Sequence, residues 1–102
     1  MNERSPLVTA ISGRQTLIKP PLSVGLRSGS VILRPGEAVG EHTTEGREEI
    51  IIILTGTATI ICAGEIFEVK EKQLAYIPPE SVHNVINNST AVVEYVYIVA
   101  PV

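Results

Sequence analysis

The chain contains no tryptophan and no aspartate, and its 102 residues include only one cysteine, one methionine and one phenylalanine. The lone Cys62 excludes an intrachain disulfide framework, and the opening Met1-Asn2-Glu3-Arg4-Ser5-Pro6 has no apolar signal core, so a cytoplasmic address is expected. Long hydrophobic runs are missing too. The longest uninterrupted apolar stretch, Tyr95 to Ala100, is six residues, against the roughly 20 that a membrane-crossing helix requires. No membrane span is expected. Eight Lys and Arg are scattered against eleven acidic residues, all glutamate, for a formal charge of −3. Nothing in that distribution forms the basic patch that phosphate backbones require, so nucleic acid is not an expected partner.

What the chain has in excess is β-branched residues: Ile, Val and Thr supply 33 of the 102 positions. Such side chains fit a pleated sheet better than a helix, and an all-β fold follows. A domain this small buries only roughly 60–65% of the surface its unfolded chain exposes. A sandwich or closed barrel backed by a second subunit is the economical solution. Residues 1–13 are expected to be a flexible N-terminal segment ending at Ser12-Gly13, and residues 14–102 read as one domain without linker or repeat.

Glycine, proline and asparagine recur at short intervals and leave segments of strand length between them. The expected strands are Gln15–Ile18, Leu22–Arg27, Ser30–Arg34, Glu41–Thr44, Glu48–Thr55, Thr57–Cys62, Glu65–Val69, Leu74–Ile77, His83–Ile86 and Ala91–Val99. No window carries a helical stripe. In Glu48–Thr55 the period of two places Glu49, Ile51 and Ile53 on one face and Ile50, Ile52 and Leu54 on the other. Both faces are apolar, so if Glu49 points inward the second face needs its own cover. A homodimer burying Ile50, Ile52 and Leu54 is expected.

Only two histidines exist, His42 and His83, each at the start of an expected strand. Glu45-Gly46 suits a two-residue hairpin turn, with glycine supplying positive φ. That register sets Thr44 opposite Arg47 and His42 opposite Glu49, with Cβ atoms roughly 4.5–5.5 Å apart. An imidazole and a carboxylate at that separation can share a divalent metal.

These residues resemble the cupin superfamily, specifically its small single-domain members. The family's first motif, G-x5-H-x-H-x3-4-E-x6-G, is met by Gly36, His42, Glu49 and Gly56, with Thr44 where a second histidine is expected. Its second motif, G-x5-P-x-G-x2-H-x3-N, is met by Pro78, His83 and Asn87, while Lys72 and Glu80 replace the two glycines. The resemblance spans residues 30–99. It implies a double-stranded β-helix, or jelly-roll, barrel with a metal inside, held here by His42, Glu49 and His83. Two histidines and a carboxylate suit Fe(II), Mn(II), Ni(II) or Zn(II). Thr44 either opens a coordination position for substrate or marks a lost metal site.

Three further residues have a claim on the cavity. Thr44 occupies the fourth-ligand position; Asn87 shares the parity of His83 and Val85 but also suits a turn at a strand end; Tyr76 has a hydroxyl to offer, though a half-buried sheet aromatic is the commoner outcome. Cys62 reads as a small buried hydrophobe. Glu37, Glu41, Glu45, Glu48 and Glu49 cluster within thirteen residues. All but Glu49 read as solvated surface; wherever they rim the mouth, their field favours cations and a neutral or zwitterionic small molecule over an anion.

Two functional classes remain open. One is a metal-dependent enzyme, which by resemblance to cupins means dioxygenase, isomerase, decarboxylase or lyase chemistry. The other is a metal-free or non-catalytic dimeric module that binds a small molecule.

Overall fold

The computed structural model describes residues 6–102. Nine strands lie within them: β1 (Gln15–Ile18), β2 (Arg27–Leu33), β3 (His42–Thr43), β4 (Arg47–Thr55), β5 (Thr57–Cys62), β6 (Glu65–Lys70), β7 (Leu74–Ile77), β8 (Val82–Ile86) and β9 (Val93–Pro101). The described residues contain no helix, and so none long and apolar enough to cross a membrane. All pairings are antiparallel, and they build a five-stranded sheet, β1-β2-β9-β4-β7, and a four-stranded sheet, β3-β8-β5-β6. The all-β barrel expected from the β-branched excess is the fold observed.

The two sheets face each other across one core. Leu33, Ile51, Ile53, Ile77, Val93 and Tyr95 come from the larger sheet, and Ala58, Ile60, Val69 and Val85 from the smaller. On β4 the alternation is as expected: Glu49, Ile51 and Ile53 are buried, Ile50 and Ile52 are half-buried, and Leu54 is exposed. Each fully buried Ile or Leu contributes about 1.5–3 kcal/mol through removal of apolar surface from water. That same inward row carries Glu49, so core packing fixes where its carboxylate points.

Residues 20–25 are not a strand. Leu22 N and Ser23 N both donate to Lys19 O, folding the segment into a turn, and Leu22 and Val24 stay exposed. The following strand begins earlier than expected, at Arg27, and runs straight through Ser28-Gly29. Gly29 is there for space rather than for a turn. A Cβ on it would lie 2.5 Å from the hydroxyl of Tyr97, whose ring crosses β2 at that point.

The expected β3–β4 hairpin is replaced by a divergence. A tight turn does join them, with Arg47 N donating to Thr44 O at 3.1 Å. Positive φ falls on Glu45 (52°), however, not on Gly46. Past that turn the strands separate: β3 pairs with β8 in the smaller sheet, whereas β4 lies between β9 and β7 in the larger. Closing a barrel requires this, because a corner turn must hand the chain from one sheet to the other. Of the N-terminal segment, residues 6–12 have no regular secondary structure and residues 1–5 lie outside the described residues.

Candidate metal centre

His42 and Glu49 therefore meet across the barrel rather than along one sheet. Before β3, the chain is already tied to β8. Gly36 N donates to Asn87 O, Asn87 N to Glu37 O, and Val39 N to Val85 O, while Gly40 N is held by Asn84 Oδ1. This delivers His42 directly opposite His83 in the β3–β8 register. The two rings lie against each other with centroids 4.1 Å apart and planes tilted by 57°. Glu49 enters from β4 in the facing sheet, and its Oε1 lies 3.0 Å from His83 Nε2. One ligand atom from each of His42, Glu49 and His83 falls within 4.8 Å of the others.

The surroundings orient these groups. His42 Nδ1 lies 2.9 Å from Gly40 O, and His83 Nδ1 lies 3.1 Å from Ser81 O. A carbonyl can only accept, so each Nδ1 carries the proton and each Nε2 is the atom left for a cation. At His83 that Nε2 faces a carboxylate oxygen, and two lone pairs at 3.0 Å demand a positive charge between or upon them. A proton meets the need: the Glu49 hydrogen bond raises the His83 pKa above its usual 6.5, against the opposing effect of burial, with the Ser81 carbonyl adding to the rise. A divalent cation meets it equally well. Two imidazoles and a carboxylate are a donor set that fits Fe(II), Mn(II), Ni(II) or Zn(II).

Thr44 is placed beside the cavity, but its hydroxyl is engaged elsewhere. Oγ1 donates to Pro78 O at 2.8 Å and accepts from Ser81 N at 3.0 Å, bracketing the Pro78–Ser81 turn that presents His83. Asn87 keeps the inward parity of His83 and is fully buried, yet it is used as a clip rather than as a cavity group. Its Nδ2 donates to Leu33 O and Ala91 O, and its Oδ1 accepts from Ser89. Tyr76 does not reach the cavity. It pairs with Ile50 on the outer face of the larger sheet, 53% exposed, and donates its hydroxyl to Glu48 Oε1 at 2.7 Å. That bond holds the Tyr76 proton and raises its pKa. Cys62 is half-buried, packed against the core, and directly opposite His83 on β5.

The cluster opens into a cavity of about 710 Å³. Its charge is the reverse of the acidic rim considered from sequence: Glu49 is the one glutamate in its lining, while Arg14, Lys19, Arg27 and Arg47 all line it. Arg47 was within reach of sequence reasoning, since it shares the parity of Glu49 two residues away. Arg27 was hidden by a strand boundary drawn at Ser28-Gly29. Tyr95 and Tyr97 also line the cavity, though nothing in their alternation distinguishes a cavity wall from ordinary core.

Two facing antiparallel sheets with a His-Glu-His cluster between them define a double-stranded β-helix protein with a candidate metal centre. The Cupin domain family model matches residues 29–99, and the chain belongs to that family. Among solved structures it is similar to a cupin protein from Bacteroides fragilis, at 22% identity and a TM-score of 0.84, covering 99% of this chain and 86% of that one. It is also similar to the Cnp3 cupin domain of Schizosaccharomyces pombe, at 17% identity and a TM-score of 0.80, covering 87% of this chain. A predicted oxalate decarboxylase from Thermotoga maritima matches at 23% identity and a TM-score of 0.67, covering 76% of this chain. This chain spans 64% and 65% of the length of the latter two. At these identities the likeness is one of fold. Among curated proteins, none matches this chain.

Proposed function

We propose that this protein is a metal-binding cupin in which His42, Glu49 and His83 hold one divalent cation, and that a small molecule occupies the adjoining cavity. The observation that carries this reading is the convergence of both histidines of the chain and one buried glutamate, from three strands and two sheets, with each Nδ1 committed to a carbonyl. A bound Fe, Mn, Ni or Zn ion supplies Lewis acidity beside the cavity. The chain's own groups orient what surrounds it: Thr44 fixes the turn that presents His83, and the tilted His42 ring packs against its neighbour. With no aspartate in the chain and Glu49 the one carboxylate in the cavity lining, a metal-independent pair of carboxylates has no second member there.

A metal-free reading is supported by the direct His83–Glu49 contact, which satisfies both groups when the imidazole is protonated. Elemental analysis of protein purified without chelators or added metal separates the two. One equivalent of metal in the parent, lost in His83→Ala and in Glu49→Gln, is the expected result. Substoichiometric metal in the parent, or full retention by His83→Ala, overturns the site. The same reading includes a homodimer, supported by the apolar outer face that Ile50, Ile52 and Leu54 share with β7 and β9.

A further inference from the structure

The chain is acidic overall, yet its cavity gathers four of the eight cationic side chains and one of the eleven glutamates. Strand placement accounts for the concentration. Arg27 opens β2 opposite Val99, and Val99 is flanked on its other side by Glu49. Arg47 opens β4 on the same face as Glu49, and Arg14 and Lys19 bracket β1 at the sheet edge next to β2. Arg27, Arg47 and Lys19 thus lie at the end of the barrel where the histidines are, while Arg14 lines the cavity from the other end of β1, its Nη2 donating to Ile32 O at 3.5 Å. None of the four forms an ion pair among the described residues, in which the one such contact is His83–Glu49. Like charges gathered at a concave mouth repel one another and focus a positive field into it.

A second observation points the same way. Tyr95 is 97% buried in terms of its surface, being only 3% exposed, and it lines this cavity. Its hydroxyl has no hydrogen-bond partner among the described residues, although every fully enclosed side-chain polar atom there has one. The hydroxyl is therefore open to the cavity. Burial, and after it the Glu49 charge, push its pKa upward, so it stays a neutral donor.

We propose that the cavity takes a small organic carboxylate, its charged end met by Arg27 and Arg47 with Lys19 beside them, while Arg14 and Tyr95 line the wall further along. The proposal rests on the metal-binding reading only for where the other end of the ligand lies; the cationic wall belongs to the chain itself. Guanidinium forks match a carboxylate in a bidentate manner. The same forks match a phosphate, so inorganic phosphate is the competing ligand in the test. The expected ligand is thus an anion, in place of the neutral or zwitterionic molecule that an acidic rim would favour.

The test is calorimetric titration of the full chain, both as purified and after chelator treatment, with linear dicarboxylates of two to six carbons, their diamides, and inorganic phosphate. At least one dicarboxylate is expected to bind about tenfold or more tightly than its diamide. The preference should persist in chelator-treated protein and disappear in the Arg27→Gln/Arg47→Gln double variant. Both side chains are exposed, so the variant keeps its core, which a thermal melt verifies. No preference for any dicarboxylate, a preference undiminished in the double variant, or phosphate binding tighter than every carboxylate overturns the proposal. Metal content measured on the same samples keeps the two readings apart. Carboxylate preference without metal leaves this inference standing and removes the metal centre; full metal without preference does the reverse.

Discussion

At the scale of single residues, the departures from the cupin motifs are informative because the backbone ignores them. Gly36 and Gly56 take positive φ, at 86° and 84°, and so do the two residues standing where the motif has glycine, Lys72 at 66° and Glu80 at 55°. Both are held there by backbone bonds, Lys72 N to Ile53 O and Glu80 N to Glu45 O. Left-handed backbone costs an L residue about 1–2 kcal/mol, partly offset in a glycine variant by about 0.4–1 kcal/mol of added unfolded-state freedom. Lys72→Gly and Glu80→Gly should each raise stability by roughly 0.5–1 kcal/mol in urea melts, and a loss of stability would show that the side chains contribute more than their exposure suggests. His83 gives a pH prediction. Its pKa is raised in the folded protein by Glu49, so in metal-free protein the contribution is complete below the ordinary 6.5 and is lost as pH rises through the folded value. Metal-free protein should melt at lower temperature at about pH 9 than at about pH 6, and Glu49→Gln should flatten that difference. A metal ion must displace the same proton, so metal affinity should rise over the same interval; an affinity independent of pH would contradict protonation at Nε2.

At the scale of elements, one glycine separates what sequence reading could recover from what it could not. Gly29 sits in the middle of β2 because the Tyr97 ring passes over it. Gly29→Ala should displace that ring into the cavity and press on the β1 backbone at Gln15 O, 2.8 Å from the added Cβ, weakening binding of any cavity ligand, with a stability loss of about 1–3 kcal/mol from overpacking. Melts and ligand titration on the variant check both, and unchanged binding would mean that the Tyr97 hydroxyl stands clear of the ligand. Read locally, a Ser-Gly pair is a turn, and only the cross-strand neighbour shows otherwise. The same limit explains the β3–β4 pairing. Turn chemistry at Glu45-Gly46 is local and legible, but the choice between staying in one sheet and crossing to the other is made by barrel closure, which no short window contains. Period-two alternation survived because it is local and repeated: Glu49, Ile51 and Ile53 face inward as read. His42, Glu49 and His83 were legible for a different reason. The chain has only two histidines, and their spacing to Glu49, Pro78 and Asn87 follows the family motifs although the path that joins them differs.

At the scale of the whole molecule, the larger sheet has a face that one copy of the chain leaves uncovered. Ile50 and Ile52 on β4 are flanked in register by Ile98 and Val96 on β9 and by Tyr76 and Leu74 on β7. Of these, Leu74 is 56% and Tyr76 53% exposed, while Ile50 and Ile52 are half-buried by their neighbours. The exposed apolar surface thus runs over β4 and β7 and reaches Ile98 on β9, Val96 being already buried, and an isologous contact lets identical faces cover each other around a two-fold axis. The cavity opens between the sheets, on the inward side of these strands, so the contact leaves the mouth free. Sedimentation at micromolar concentration should give twice the 11.0 kDa chain mass. Ile52→Glu, which sets a charge in the middle of that face without touching the core row of Glu49, Ile51 and Ile53, should return the protein to monomer while preserving its metal content. A parent that sediments as a monomer removes the dimer and leaves the outer isoleucines to β-propensity alone. A monomeric variant that loses metal would mean instead that the second copy braces β4, and through it Glu49.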